Sequence, residues 1–545
     1  MKKYLILIFA VCILLCSCSQ QVDKNDSLDE QPEYAEKNSE KLEENYSKLH
    51  ELALMYEKYA WGYASDDYTP LLYTINLLTD LNKEDKFLYE NDITIPYEDA
   101  KEISSLFMSY EISEDTYYGT HYYPTAKYPD ISLEPFEINS SEEEISILYG
   151  RFVNDEQGNK HWLYPVKYTA LPYILAEEDI PSILSDVFKA GEQMYRIINV
   201  ENIYDIDAAK NIYTNNGYGE LFSEKSYNLA SPEDLVAMSK RVNSRLYSEI
   251  RATYNLMCDI DMSGIEFEPM GKYTDYTQSY DHRVHDMSGF CGSFNGNNYT
   301  ISNLSVLKAI EVSYDIVENS NGFFSILGQG ALVKDLNIIN ANIDYIGEEG
   351  LMAAGILAGK IYGSKVENCK VSGIVKGTSN VGGFAGEVSS VYDVGDEVLK
   401  CEIINCHADV EVYGGNWIGG FTGSNNANIL NCSVKGTLIC DEIVNNTIYY
   451  WSGEMPFGIG GFTGHNIKEI SNSGANVWVK TMVNVKWVGS FIGYNDGHAY
   501  ECFYNGTLSH WDPIGFDPNE SRSPRKSYIL NLLKEEYYKR LFEIE

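Results

Sequence analysis

Six segments in the C-terminal half of the chain are variations on one text, and a text repeated at intervals of about thirty residues has few ways to fold. They read NGFFSILGQGALVKDLNIINANI, AGILAGKIYGSKVENCKVSGIV, VGGFAGEVSS with its partner IINCHADVEV, IGGFTGSNNANILNCSVKGTL, IGGFTGHNIKEISNSGANVWV and VGSFIGYNDGHAYECFYNGTL. Phe324, Leu357, Phe384, Phe421, Phe462 and Phe491 hold one position in the six, separated by 33, 27, 37, 41 and 29 residues. A second anchor follows: Leu336, Cys369, Cys432, Ser473 and Cys502 trail their partners by 12, 12, 11, 11 and 11 residues. Cys406 trails Phe384 by 22, which an insertion from about Val391 to Lys400 explains.

Each unit reads as a short buried strand with a bulky residue, a Gly-lined turn, and a second strand alternating in and out, as in Val366-Glu367-Asn368-Cys369-Lys370-Val371. No unit of this size can bury its apolar face alone. Stacked at about 4.8 Å, units complete one another's backbone hydrogen bonds and set Phe over Phe and Cys over Cys in internal columns. The Gly pairs are expected to permit tight turns and positive φ. The expected fold class is mainly β: a right-handed parallel β-helix-like solenoid over 254–510, preceded by a smaller, mostly helical domain.

The units resemble the GLUG motif, a Gly-aliphatic-aromatic-Gly signature followed by an Asn-Cys or similar strand, found in bacterial surface proteins and in N-terminal regions of IgA-specific metalloendopeptidases. The segments from Tyr254 to Gly264 and from Phe290 to Leu304 look like the opening rungs of such arrays, so the resemblance covers about half the chain. The chain departs from the pattern at Ser490, where the second Gly is expected, and at Ser473 and Glu501, which replace the Cys and Asn of the second strand.

At the N terminus, Lys2 and Lys3 precede the apolar run Tyr4–Leu15, too short to span a bilayer comfortably but matching a secretory signal. It closes on Leu15-Cys16-Ser17-Cys18, which resembles a bacterial lipobox; Cys16 is a poor rival because the large Leu15 precedes it. The resemblance implies a signal peptide over 1–17 and a diacylglyceryl-bearing Cys18, with palmitate-like acyl chains, as the mature N terminus. Two chains matter, because each buried methylene contributes only about 0.8 kcal/mol and a single chain anchors marginally. Residues 18–41 are polar and acidic and read as a lipidated flexible tether.

Leu42, Tyr46, Leu49, Ala53, Tyr56 and Ala60 recur at helical spacing, a second helix is expected from Thr69 with Pro70 at its first position, the chain between Tyr110 and Lys167 is rich in Tyr, Pro and Asp with short extended runs, and helical periodicity returns between Ile180 and Tyr213. Residues 42–227 are therefore expected to form a mostly helical domain, matching no known motif. A capping helix is expected within 228–253, where Ser231, Pro232 and Asp234 make a variant capping box and Leu235, Met238 and Val242 supply its buried side. A second capping helix is expected within 511–545, on the apolar spacing of Ile529, Leu532, Leu533, Tyr537 and Leu541.

Lys and Arg number 41 against 80 Asp plus Glu, a formal charge of −39, which opposes both nucleic-acid binding and peripheral adsorption to anionic membranes. Of the 11 Cys, those in the repeats read as small core residues rather than disulfide partners, with Cys401 and Cys440 the foremost exceptions. His-Glu-x-x-His, Gly-x-Ser-x-Gly and the P-loop pattern are missing from the sequence. Asp281-His282-Arg283-Val284-His285-Asp286 could ligate a metal or simply form a polar loop, and Asp259 and Asp261 could bind calcium but more often such residues satisfy turn amides. Clusters such as Tyr117-Tyr118, Tyr122-Tyr123 and Tyr449-Tyr450-Trp451 could stack on sugars or pack against protein.

With Arg283 the only Arg between Gly271 and Ser521, cleavage of acidic glycans has little cationic help. The reading is a non-enzymatic, membrane-anchored surface lipoprotein on the extracytoplasmic face. It is expected to use no cofactor or metal, bind no nucleic acid, and serve adhesion by binding protein or carbohydrate through an extended solenoid face. The alternatives are an extracellular carbohydrate-active enzyme and a spacer displaying the N-terminal domain.

Overall fold

The computed structural model describes residues 46–531 except 60–76, 79–87, 90–91, 94, 110–130, 142, 155–159, 245, 272–288, 307–318, 345–351, 393–397, 441–457, 482–486, 506–510 and 518–528. The repeats form four parallel sheets of six, seven, nine and ten strands. One turn of the coil contributes a strand to each in the same order, as in Ser379–Gly382 on face 1, Ala385–Ser389 on face 2, Glu402–Ile404 on face 3 and His407–Gly414 on face 4. The expected insertion is a two-stranded antiparallel hairpin in which Val391–Tyr392 pairs with Val398–Leu399 between faces 2 and 3.

Both anchor positions point inward. Phe384 lies over Phe421 at 4.7 Å, Phe421 over Phe462 at 4.9 Å and Phe462 over Phe491 at 4.9 Å, all stacked within 18° of parallel. Leu336, Cys369, Cys406, Cys432, Ser473 and Cys502 are all fully buried, so the substitution at Ser473 stays in register. Cys258, Cys369, Cys401, Cys406, Cys432 and Cys502 form no disulfide, and burial pushes the Cys401 and Cys502 thiols up to about 12.

The Gly pairs act differently from the expectation. Positive φ belongs instead to the residue before the second anchor: Asp335, Asn368, Asn405, Asn431, Asn472 and Glu501 all lie between 44° and 55°. Gly is required at the first corner because backbone of the next rung fills the space. A Cβ on Gly420 would lie 2.4 Å from the Gly461 carbonyl oxygen. Ser490, the exception, turns its hydroxyl to the Trp511 carbonyl.

Before the solenoid lies an α+β unit, where a mostly helical domain was expected. Helices α1 (Ser47–Tyr59) and α2 (Tyr97–Ser105) precede an antiparallel sheet of β1 (Ile131–Ser140), β2 (Ile145–Asn154), β3 (Lys160–Ile174) and β4 (Gln193–Asn202), followed by α3 (Ile206–Tyr213). The central strands β2 and β3 bury residues on both faces and so carry little of the period-two signal that marks a half-exposed strand. Ile147, Tyr149, Tyr168 and Ile197 pack with Leu49, Ala53 and Ile103 of the two helices. Phe136, Phe152 and Trp162 pack on the other side with Tyr213, Phe222 and Tyr247 in edge-to-face contacts of 5.1 to 5.6 Å.

That aromatic layer is continuous with the solenoid's interior, so the sheet closes the open first rung. The array also begins earlier than Tyr254. Strand β5 (Ser226–Leu229) pairs in parallel with Thr253–Leu256, and Tyr227 stacks on Tyr254 at 5.1 Å. Helix α4 (Pro232–Asn243) is inserted between them. Its Ser231 Oγ accepts from Asp234 N–H, Asp234 accepts from Ala230 N–H, and Leu235, Met238 and Val242 are buried, as the capping box predicts.

At the far end, Ile529–Asn531 is not helical but a strand paired in parallel with Cys502–Tyr504. Of the five apolar positions that carry the helical spacing only Ile529 lies in this strand, which adds to the free edge of the preceding one. The rest of the expected C-terminal helix, most of the expected helix from Thr69, the signal peptide and the tether fall outside the described residues.

Candidate functional site

From Leu357 onward, the residue three positions after the first anchor holds the register that faces away from the core on face 2, although Lys360 at this register is itself covered. Backbone pairing aligns Lys360, Glu387, Ser424, His465, Tyr494 and Phe516 in one column. The column is charged or polar over three rungs and aromatic over the next three. Across the corner on face 1, Trp417 stacks on His465 at 4.6 Å, Trp487 meets Tyr494 at 4.6 Å and stacks on Phe516 at 5.2 Å, and Tyr494 meets His465 edge-on at 5.3 Å. Four carbocyclic or indole rings and one imidazole thus form a continuous strip. All are partly accessible, Phe516 to 40%.

Two local concessions hold Trp417 in this strip. Its φ of 45° lies in the left-handed region, which costs a bulky L-residue about 1–2 kcal/mol; the residue one rung earlier at the same register is Asn380, also left-handed and better suited to it. One rung later the register position is Gly458, and a Cβ there would lie 2.7 Å from Trp417 Cζ3. The ring therefore lies flat across the next rung. Polar groups line its edge: His465 Nε2 is 3.1 Å from Asp496 Oδ2. Burial lowers the His465 pKa, and Asp496 partly opposes the shift.

Two other constellations lie in the N-terminal unit. Arg151 is fully buried and donates through Nη2 to Glu57 and Asn202, each at 2.8 Å, while Tyr168 donates to the same Glu57 oxygen. Enclosed by sheet and helix, this cluster ties α1 to the sheet. Glu134 is contacted by Lys160 and by the Tyr218 hydroxyl, and burial raises its carboxyl to about 7. Lys160 is pulled down by the same burial and lies over the Phe152 ring at 4.4 Å. A half-buried pair held between aromatic rings is accounted for by packing.

Of the residues singled out from sequence, Cys18, Asp281–Asp286 and the Tyr117–Tyr118, Tyr122–Tyr123 and Tyr449–Trp451 clusters fall outside the described residues. Asp259 accepts from Thr300 N–H at 2.8 Å, and Asp261 accepts from Ser263 N–H at 3.0 Å and from Asn303 at 2.7 Å. They satisfy amides, the commoner of the two readings. Among the described residues no group of three or more His, Cys, Asp or Glu could hold a metal ion. Sequence reasoning missed the aromatic strip. Its signal was present at one offset, in Phe-Thr-Gly-His and Phe-Ile-Gly-Tyr, once inward positions are set aside.

No family model matches the chain. A stretch of 146 residues, 25% of this chain and 1% of its relative, is 32% identical to halomucin from Haloquadratum walsbyi (strain DSM 16790 / HBSQ001). A solved structure of IgA1 protease is 14% identical and superposes with a TM-score of 0.31, over 66% of this chain and 24% of that one. The chain thus spans a small part of either protein.

Proposed function

We propose that the protein is a non-enzymatic surface lipoprotein, held to the membrane through a lipid on Cys18, whose GLUG-like solenoid presents a binding face for carbohydrate or protein in adhesion. The coil is taken to be right-handed, the hand that parallel crossovers strongly favour. The observation that carries the binding role is the change along one outward column from Lys360, Glu387 and Ser424 to His465, Tyr494 and Phe516, flanked by Trp417 and Trp487. Aromatic residues that cover no core and lie side by side on successive rungs suit recognition better than solubility. Attachment by lipid fits the charge, since loss of Lys2 and Lys3 with the signal peptide takes −39 to −41, and such a body would otherwise be repelled by an anionic membrane. Among the described residues no helix is long and apolar enough to cross a membrane.

Two measurements test this. Cys18→Ala should release the protein into the medium or leave it unprocessed; unchanged size and unchanged detergent partitioning refute the lipid anchor. Glycan and host-protein arrays probed with the detergent-solubilised chain should yield a ligand, whereas turnover of a defined polysaccharide, abolished by one carboxylate substitution, refutes the non-enzymatic role.

A further inference from the structure

We infer that the aromatic strip binds a neutral oligosaccharide, its sugar rings laid across Trp417, Tyr494 and Trp487; this rests on the binding role proposed above. Size is the first argument. From Ser424 to Phe516 the strip crosses three rung steps, about 14 Å at about 4.8 Å each. A stable protein interface needs about 800 Å² on each partner, and the same column turns to Lys360 and Glu387 beyond Ser424. A short run of pyranose rings matches such a strip, because each has an apolar C–H face for an aromatic ring and hydroxyls for its polar edge. Ser424, His465 and Asp496 supply that edge.

Charge selects the kind of sugar. The chain carries −39 overall and Asp496 borders the strip, so uronates and sulfated sugars are repelled. The build of Trp417 is the third argument. A left-handed Trp over a glycine persists only where the surroundings fix it, and such outliers gather at ligand sites.

The test is affinity electrophoresis of the full lipidated chain in detergent, through gels holding neutral β-glucan, mannan, galactan or xylan, and through polygalacturonate. At least one neutral polymer should retard it. Trp417→Asn keeps the backbone preference shown by Asn380 and should weaken that retardation at least 10-fold. Trp487→Ala, which removes a second ring of the strip, should do the same, and Trp478→Ala, an exposed Trp on face 4, should change nothing. Retardation by polygalacturonate alone, no retardation by any neutral polymer, or full retardation of both Trp417→Asn and Trp487→Ala overturns the inference. A protein ligand from the arrays that is lost in Trp417→Asn overturns the sugar assignment but leaves the binding role standing; no ligand of either class removes both.

Discussion

At the scale of single residues, the second-anchor column shows what a buried Cys does here. Cys432 Sγ donates to the Leu430 carbonyl at 3.3 Å and accepts from Cys406 N–H at 3.4 Å. One rung on, Ser473 Oγ makes the equivalent contacts, donating to Ser471 at 2.8 Å and accepting from Cys432 N–H at 3.1 Å. Cys432→Ser should therefore cost little, whereas Cys432→Ala removes the acceptor of a buried N–H and should cost about 1–3 kcal/mol in urea unfolding; equal losses would refute this role. His407 provides a pH probe. Burial, with Lys370 adding to it, lowers its pKa from 6.5 to about 4, and its Nδ1 lies 2.8 Å from Ser433 Oγ. Between these pH values the unfolded chain binds more protons than the native one, so this site destabilises the fold as pH falls from 6.5 to about 4 and is neutral above. Relative to His407→Gln, the parent should lose melting temperature between pH 7.5 and pH 4; a constant difference would contradict the assignment. The Cys column could be read from the sequence because spacing alone places it inside. The His407 environment could not, because it depends on which groups the neighbouring rungs bring alongside.

At the scale of elements, the corner before face 4 is an asparagine ladder. Asn368 donates to Asp335 at 2.9 Å, Asn405 to Asn368 at 3.2 Å, Asn431 to Asn405 at 2.5 Å and Asn472 to Asn431 at 3.1 Å. Left-handed backbone and side-chain bonds are thus required at one position, and Asn meets both demands with the least strain. Asn405→Gly retains the first and Asn405→Ala neither. Ala should be the more destabilising, by about 1 kcal/mol in chemical unfolding; equal costs would place no strain at this corner. The Asn-Cys spacing announced the corner, although the positive φ was expected at the Gly pairs. Both Gly and Asn tolerate that φ, and only the closeness of the next rung decides which corner needs a missing Cβ. The extended runs of β1–β3 are legible between Tyr110 and Lys167, whereas the helical periodicity between Ile180 and Tyr213 covers strand β4 as well as helix α3, and pairing with β3 decides the strand.

At the scale of the molecule, each rung touches chiefly its neighbours, so stability is nearly a sum of rung and interface contributions, and the ends differ from the middle. The N-terminal end is closed by the aromatic side of the antiparallel sheet through Trp162, Tyr213 and Tyr247. Phe421 has a stacked ring on both sides, from Phe384 and Phe462, whereas among the described residues Phe491 has one from Phe462 alone. Truncating either to Ala leaves a cavity worth about 3–5 kcal/mol, but the consequences should travel differently. Phe491→Ala should raise amide exchange in the rungs around and beyond it, such as Ile492–Asn495, leaving Ala385–Ser389 protected behind the sealed N-terminal end. Phe421→Ala breaks the column between two halves, so exchange should rise on both sides and urea unfolding should separate into two transitions, the C-terminal rungs melting first. Were both variants to unfold in one step with uniform exchange, the stack would be a single cooperative unit. The aromatic strip begins at the broken rung itself, with Trp417, and continues on its C-terminal side. Phe421→Ala should therefore lose any ligand that the strip binds before the N-terminal unit loses its secondary structure.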